Sequence, residues 1–118
     1  MFLERELSNV TFEECSFYKC DFSESTFRNC RFIDCEFRQC NLSLLNVSFS
    51  EFTQVTFSDC KLIGIDWTKA GWSKFVFNAP IKFNHCILNN SSFFKLTLQE
   101  LEIIQCKCHA VDFREGVF

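Results

Sequence analysis

The chain has 118 residues, 15 of them acidic and 12 basic, with 17 Phe and nine Cys but only three Gly and one Pro. That length bounds a single domain, and so much Phe with so little Gly and Pro excludes a disordered or collagen-like chain. A net charge of −3 is too balanced to argue for a nucleic-acid ligand and leans only faintly toward a basic partner.

The opening residues, Met1 to Glu6, have neither the basic start nor the apolar stretch of a secretory signal, and no run of about 18 apolar residues follows. A soluble, cytoplasmic protein with no membrane contact is expected, its first nine residues forming an N-terminal cap with Met1, Phe2 and Leu3 as a lid. Nine cysteines, an odd count without a signal, predict reduced thiols.

From Leu7 onward an apolar residue returns every fifth position: Leu7, Phe12, Phe17, Phe22, Phe27, Phe32, Phe37, Leu42, Val47, Phe52, Phe57, Leu62, Trp67, Trp72 and Phe77. A step of five turns about 140° around a helix and scatters the set, and in a flat strand it sends successive rings to opposite faces. The period therefore demands a chain that turns a corner once per repeat. Two residues before each centre stands a small or apolar side chain, as in Val10, Cys15, Cys20, Ser25 and Cys30, which in an extended segment points the same way as the centre. The remaining three positions are mostly polar and face water. Four sides and four corners close a coil of about 20 residues, and coils stacked at about 4.8 Å bury the centres in columns. Leu7, Phe27, Val47 and Trp67 then share one column.

With this pattern the chain resembles the pentapeptide-repeat family, whose unit is a small residue, Asp or Asn, Leu or Phe, and two variable polar residues. Cys20-Asp21-Phe22-Ser23-Glu24 and Cys40-Asn41-Leu42-Ser43-Leu44 fit it as they stand, while Arg5, Leu45 and Ile65 depart from the small type. The resemblance implies an all-β fold, a right-handed quadrilateral β-helix of about six coils spanning 1–118.

The phase slips once. After Phe77 the centres resume at Phe83, Leu88, Phe93, Leu98, Ile103, Cys108, Phe113 and Phe118, one residue late. The slip falls near 78–82, beside Pro80, which cannot donate a ladder hydrogen bond. A bulge or short loop within 69–82 is the economical expectation, and the alternative is that Lys69 to Pro80 leaves the coil altogether as a larger loop.

Eight cysteines, Cys15, Cys20, Cys30, Cys35, Cys40, Cys60, Cys86 and Cys106, take the small inward position and read as compact hydrophobes. Parallel Cβ vectors in stacked coils oppose the torsion a disulfide needs. The sharpest metal candidate, Cys106-Lys107-Cys108-His109 with His85-Cys86 a coil earlier, puts both thiols inward but His109 outward, so the ligands do not converge. No metal or other cofactor is expected. Nor is an enzyme: no nucleophile arrangement or glycine-rich phosphate loop appears, and a stacked coil has a filled interior with convex walls.

Family members that this chain resembles include bacterial proteins that bind DNA gyrase or topoisomerase IV and protect them from quinolones. They are thought to mimic duplex DNA. The resemblance thus implies a non-enzymatic protein-binding module whose partner is a type II topoisomerase, with no direct nucleic-acid contact. Mimicry requires a negative wall. Sorted by phase, the wall of Phe12, Phe32, Phe52 and Phe93 holds Glu13, Glu14, Asp34, Glu51, Asp112 and Glu115 against Arg31, Lys74, Lys95 and Arg114. The other three come out near neutral, so no wall is strongly acidic on this reading. The alternative is a general interaction or structural scaffold without a topoisomerase role, using Leu44 at a corner, Ile63 one coil on and Phe49 nearby, beside Lys69 and Trp72. Phe113, Val117 and Phe118 in the last coil are the expected homodimer interface.

Overall fold

A computed structural model describes residues 6–72, 81–98 and 100–118. The corner demanded by the five-residue period is a left-handed backbone. From Asn9 to Asp59 every fifth residue has φ between +52° and +59°, and each centre lies two positions before such a corner. One left-handed residue in five bends an otherwise extended chain into sides of equal length.

The sides form ten short strands: β1 (Glu6–Ser8), β2 (Thr11–Glu13), β3 (Ser16–Tyr18), β4 (Thr26–Arg28), β5 (Arg31–Ile33), β6 (Glu36–Arg38), β7 (Glu51–Thr53), β8 (Val55–Ser58), β9 (Ile81–Asn84) and β10 (Glu102–Ile104). A 3-10 turn covers Trp67–Lys69. Every strand pair is parallel, as a coil stacked on the coil below requires: β1 on β4, β5 between β2 and β7, and β3, β6, β8, β9 and β10 in one five-stranded sheet. A fourth side is joined by single bridges, Asp21 to Asn41 to Lys61 to Ile87 to Lys107. The fold is an all-β solenoid. Its five-stranded sheet is crossed in four full turns, and the part-coils at each end leave the stack short of the six coils expected.

Register places like on like. Phe12 pairs with Phe32 and Phe32 with Phe52; Phe17 pairs with Phe37 and Phe37 with Phe57. Their rings stack nearly flat at 5.0, 5.3, 4.6 and 5.0 Å, while neighbouring columns meet edge to face, as Phe12 meets Phe17 at 5.4 Å. Each such contact contributes about 0.5–1.5 kcal/mol beyond the area it buries.

The break is larger than a bulge. Phe57 pairs with Phe83 and Asp66 with Ser92, a separation of 26 where the other coils use 20. Six more residues than in the other coils therefore fall between Trp72, still 6.3 Å from Phe52 in its column, and Ile81, paired with Val55. Residues 73–80, with Phe77, and the lid at Met1, Phe2 and Leu3 lie outside the described residues. A six-residue insertion in a five-residue period looks like a one-residue slip, which is why phase alone understated it.

The polar positions set the corner type. Where Asp or Asn precedes the centre, its side-chain oxygen accepts from the amide two residues on, Ser23 N to Asp21 at 3.0 Å and Ser43 N to Asn41 at 3.1 Å. The turn then closes on itself, as in Ser25 N to Phe22 O and Leu45 N to Leu42 O, both 3.1 Å. Corners after strands stay open, and their free carbonyl takes a donor from the coil above. Cys30, Cys35, Cys40 and Cys60 Sγ lie 3.3–3.4 Å from the carbonyls of Leu7, Phe12, Phe17 and Phe37. The cysteines are thus hydrogen-bonding groups as well as compact fillers. Leu45 and Ile65 sit above the closed corners of Phe22 and Leu42, where no donor is needed. Val55, above the strand-type corner of Phe32, is an exception.

All nine cysteines are free. Cys20, Cys40, Cys60, Cys86 and Cys106 form one column that continues through the insertion. A hydrogen bond with Cys40 pulls the Cys60 thiol pKa down, but a hydrogen bond with Cys86 and burial outweigh it and leave it pushed up to about 12. Cys15, Cys20 and Cys106 are only half-buried, and Cys108, expected inward, is exposed: these lie in the first and last coils, which lack a covering coil on one side.

Candidate functional site

The insertion changes which residues share a wall. With 26 residues in that coil, Phe93 stacks on Trp67, 5.9 Å away, rather than joining Phe12, Phe32 and Phe52. Asp112, Arg114, Glu115 and Lys95 move with it to the Trp67 wall. The β2-β5-β7 wall and its following corner then carry Glu13, Glu14, Asp34, Glu51 and Glu100 against Arg31 alone among the described residues.

Each of the other three walls balances. The Trp67 wall holds Glu6, Asp66, Asp112 and Glu115 against Arg28, Lys69, Lys95 and Arg114; the five-stranded wall holds Glu36, Asp59 and Glu102 against Lys19, Arg38 and Lys82; the bridged wall holds Asp21 and Glu24 against Lys61 and Lys107. The negative excess of the described chain therefore lies on one face. The sorting expected from sequence, which set six acids against four bases on this wall, is corrected: Asp112, Glu115, Lys95 and Arg114 leave it and Glu100 joins it, while Lys74, counted there by phase, lies outside the described residues.

On the acidic wall Arg31 Nε is 3.0 Å from Glu51 Oε2, a cross-coil pair in register. Glu13, Glu14, Asp34 and Glu100 have no ion-pair partner among the described residues. Coils about 4.8 Å apart are closer than the screening length of about 8 Å at physiological salt, so carboxylates on adjacent coils reinforce one another's field.

The apolar candidates occupy corners of the middle coil. Leu44 and Phe49 are successive left-handed corners, 57% and 67% exposed, and Leu44 N donates to Ile63 O at 2.8 Å. Leu44 has a local packing role: a Cβ on Gly64 would come within 2.8 Å of its Cδ2, so the leucine lies over the bare glycine. A notch of about 150 Å³ opens beside them, lined by Leu44, Leu45, Asn46, Gly64, Asp66 and Lys69. Lys69 ends the 3-10 turn, which Asp66 caps by accepting from Thr68 N at 3.0 Å. Trp72 is half-buried, its Nε1 donating to Trp67 O at 2.7 Å.

In the last coil Phe113 stacks on Phe93 at 5.4 Å and Phe118 meets Phe113 edge-on at 5.7 Å. Val117 and Phe118 are about half exposed. His109 faces outward, its amide donating to Asn89 Oδ1 at 2.9 Å.

A pentapeptide repeat region model matches residues 10–81, more than half of the chain. The chain belongs to the pentapeptide-repeat family. Among solved structures it is similar to QnrB1, a plasmid-mediated fluoroquinolone resistance protein. A trypsin-treated variant of that protein matches at 17% identity and TM-score 0.50, over 98% of this chain and 80% of that one. The full-length form matches at 20% identity and TM-score 0.50, over 98% and 76%. At such identity the likeness is one of fold, the pentapeptide-repeat solenoid. No curated protein matches the chain. No helix among the described residues is long and apolar enough to cross a membrane.

Proposed function

We propose that this chain is a non-enzymatic, cytoplasmic protein-binding module whose acidic wall occupies the basic groove of a protein that ordinarily holds duplex DNA. A bacterial type II topoisomerase of the gyrase class is the most concrete target. The observation that carries this reading is the gathering of the described chain's whole negative excess on the face of Glu13, Glu14, Asp34, Glu51 and Glu100. A groove built to neutralise phosphates binds through counter-ion release and is salt-sensitive. A wall of carboxylates at coil spacing offers it charge of the same sign, more sparsely spaced than the phosphates of a duplex. Membership of the pentapeptide-repeat family, and a fold shared with a fluoroquinolone resistance protein, support the same target class.

The test is competition. Purified gyrase is incubated with the chain and with linear duplex DNA, and supercoiling is assayed alongside. Binding that DNA displaces, that weakens with salt, and that Glu13→Gln with Glu14→Gln reduces is the expected result. Binding insensitive to those changes would favour the general scaffold, to which exposed Leu44 and Phe49 lend support. We further propose that two copies pair through the last coil, at Phe113, Val117 and Phe118.

A further inference from the structure

The acidic wall ends at a corner that its charge does not explain. Phe49 stands where the Trp67 wall meets the acidic wall, two residues before Glu51. At 67% it is the most exposed large apolar side chain among the described residues, held at φ +57°. Left-handed corners recur throughout the fold, at Glu14, Lys19 and Leu44 among others, but a bulky aromatic residue enters that region less readily than Asn. Asn occupies this same corner in the two coils below, where Asn29 Nδ2 donates to Asn9 Oδ1 at 2.6 Å. At the third coil the column gives up a residue suited to the corner, and its ladder bond, for a projecting ring.

No ring contact accounts for the exchange. Leu44, the neighbouring corner, covers Gly64, but the Phe49 ring has no aromatic contact among the described residues. A projecting aromatic ring at a corner that Asn fills in the coils below points to a contact outside the fold.

We propose that Phe49 is the apolar anchor of the acidic wall, entering an apolar pocket at the rim of the basic groove that the wall occupies in a duplex-DNA-binding protein. This rests on the proposed function and adds its specificity element. Glu13, Glu14, Asp34 and Glu51 lie on the wall that Phe49 borders, in the first three coils. Such exposed charges steer association and set the salt dependence, but hold a complex weakly on their own. A desolvated aromatic at the edge supplies slow dissociation. Lys69 and Lys95 succeed Phe49 along the same corner and bound the footprint, since a basic groove repels them.

The experiment measures binding to purified gyrase across a salt series. Phe49→Asn and Phe49→Gly, both suited to a left-handed corner, should melt at or above the wild-type temperature, weaken binding about tenfold or more and leave the salt slope unchanged. Phe49→Tyr should bind as wild type. Glu13→Gln with Glu14→Gln should lower the salt slope. Wild-type affinity in Phe49→Asn and Phe49→Gly, with the charge variant still impaired, would overturn the anchor and leave the wall reading standing. A wild-type chain whose binding ignores both salt and competing duplex would remove the wall reading, and the anchor with it.

Discussion

Ser50 Oγ donates to the Phe27 carbonyl at 2.6 Å and accepts from Cys30 N at 3.1 Å, so one hydroxyl closes the corner of the coil beneath it. Ser91 does the same for Leu62 O, at 2.9 Å, and Ile65 N, at 3.2 Å. Each is a buried polar group satisfied across coils, and each fixes the stacking register.

Ser50→Ala should therefore destabilise the fold by about 2 kcal/mol or more, since it leaves a buried donor and a buried acceptor unpaired. Ala70→Ser is the control: the Val47 corner beneath it is closed by Ser50 N at 3.0 Å and needs no donor. Urea midpoints of the two variants check this. A loss below about 0.5 kcal/mol in Ser50→Ala would show that the hydroxyl is not the closing group.

The core makes a second demand. Phe32 is stacked between Phe12 and Phe52, at 5.0 and 5.3 Å, and is 1% exposed. Phe32→Ala should cost about 3–5 kcal/mol, because neighbouring coils held by backbone ladders cannot collapse into the cavity. Arg28→Ala should cost under about 0.5 kcal/mol, as Arg28 is exposed and its pairing with Glu6 is loose, at 3.9 Å. Similar urea midpoints for the two would contradict the inward assignment of Phe32.

The columns were legible because burial is periodic: a large residue every fifth position has one geometric solution, and Phe27, Phe32 and Phe37 lie where that solution puts them. The insertion was not, since six residues and one residue leave the same phase. That ambiguity moved Phe93 and Asp112 to the wrong wall and concealed the acidic face. The corner types were legible only in retrospect. Asp21 and Asn41 announce closed turns, but that Cys40 and Ser50 serve open corners a coil below depends on contacts 23 residues away. Of the candidate site, Leu44 and Phe49 stood out as apolar residues at water-facing positions; that Leu44 covers Gly64 and that the Phe49 ring stacks on no other described ring required the side chains.

Thiol chemistry provides a third prediction. Native labelling should reach Cys108 first and leave Cys30, Cys40, Cys60 and Cys86 protected, with all nine reacting after denaturation. Cys60 is raised from 9.0 to about 12 in the fold. The folded chain therefore holds this proton where the unfolded chain has lost it. Its stabilising contribution is complete below pH 9 and declines as pH rises from there through about 12. Cys60→Ser titrates only above that range, so it should flatten this part of the stability profile between pH 9 and 11. An unchanged slope in urea melts at those pH values would sink the assignment.

The last coil supplies the fourth. Phe118 and Val117 present about half of their surface to water beside the edge-on Phe113 contact, and β10 pairs with β9 on one side alone among the described strands. An open strand edge next to exposed aromatic surface is a template for another chain, and two copies meeting through the same patch close as a two-fold dimer. Sedimentation at micromolar concentration should show a dimer, and Phe118→Glu should convert it to monomer by setting two carboxylates against each other across the axis. Val117 bridges Thr97 on the acidic wall, so Phe118→Glu adds a carboxylate to the last turn of that wall, and the oligomeric state, not gyrase affinity, is the readout. A wild-type chain that sediments as a monomer would remove the dimer, and a dimer that Phe118→Glu does not disturb would place its interface elsewhere than residues 103–118.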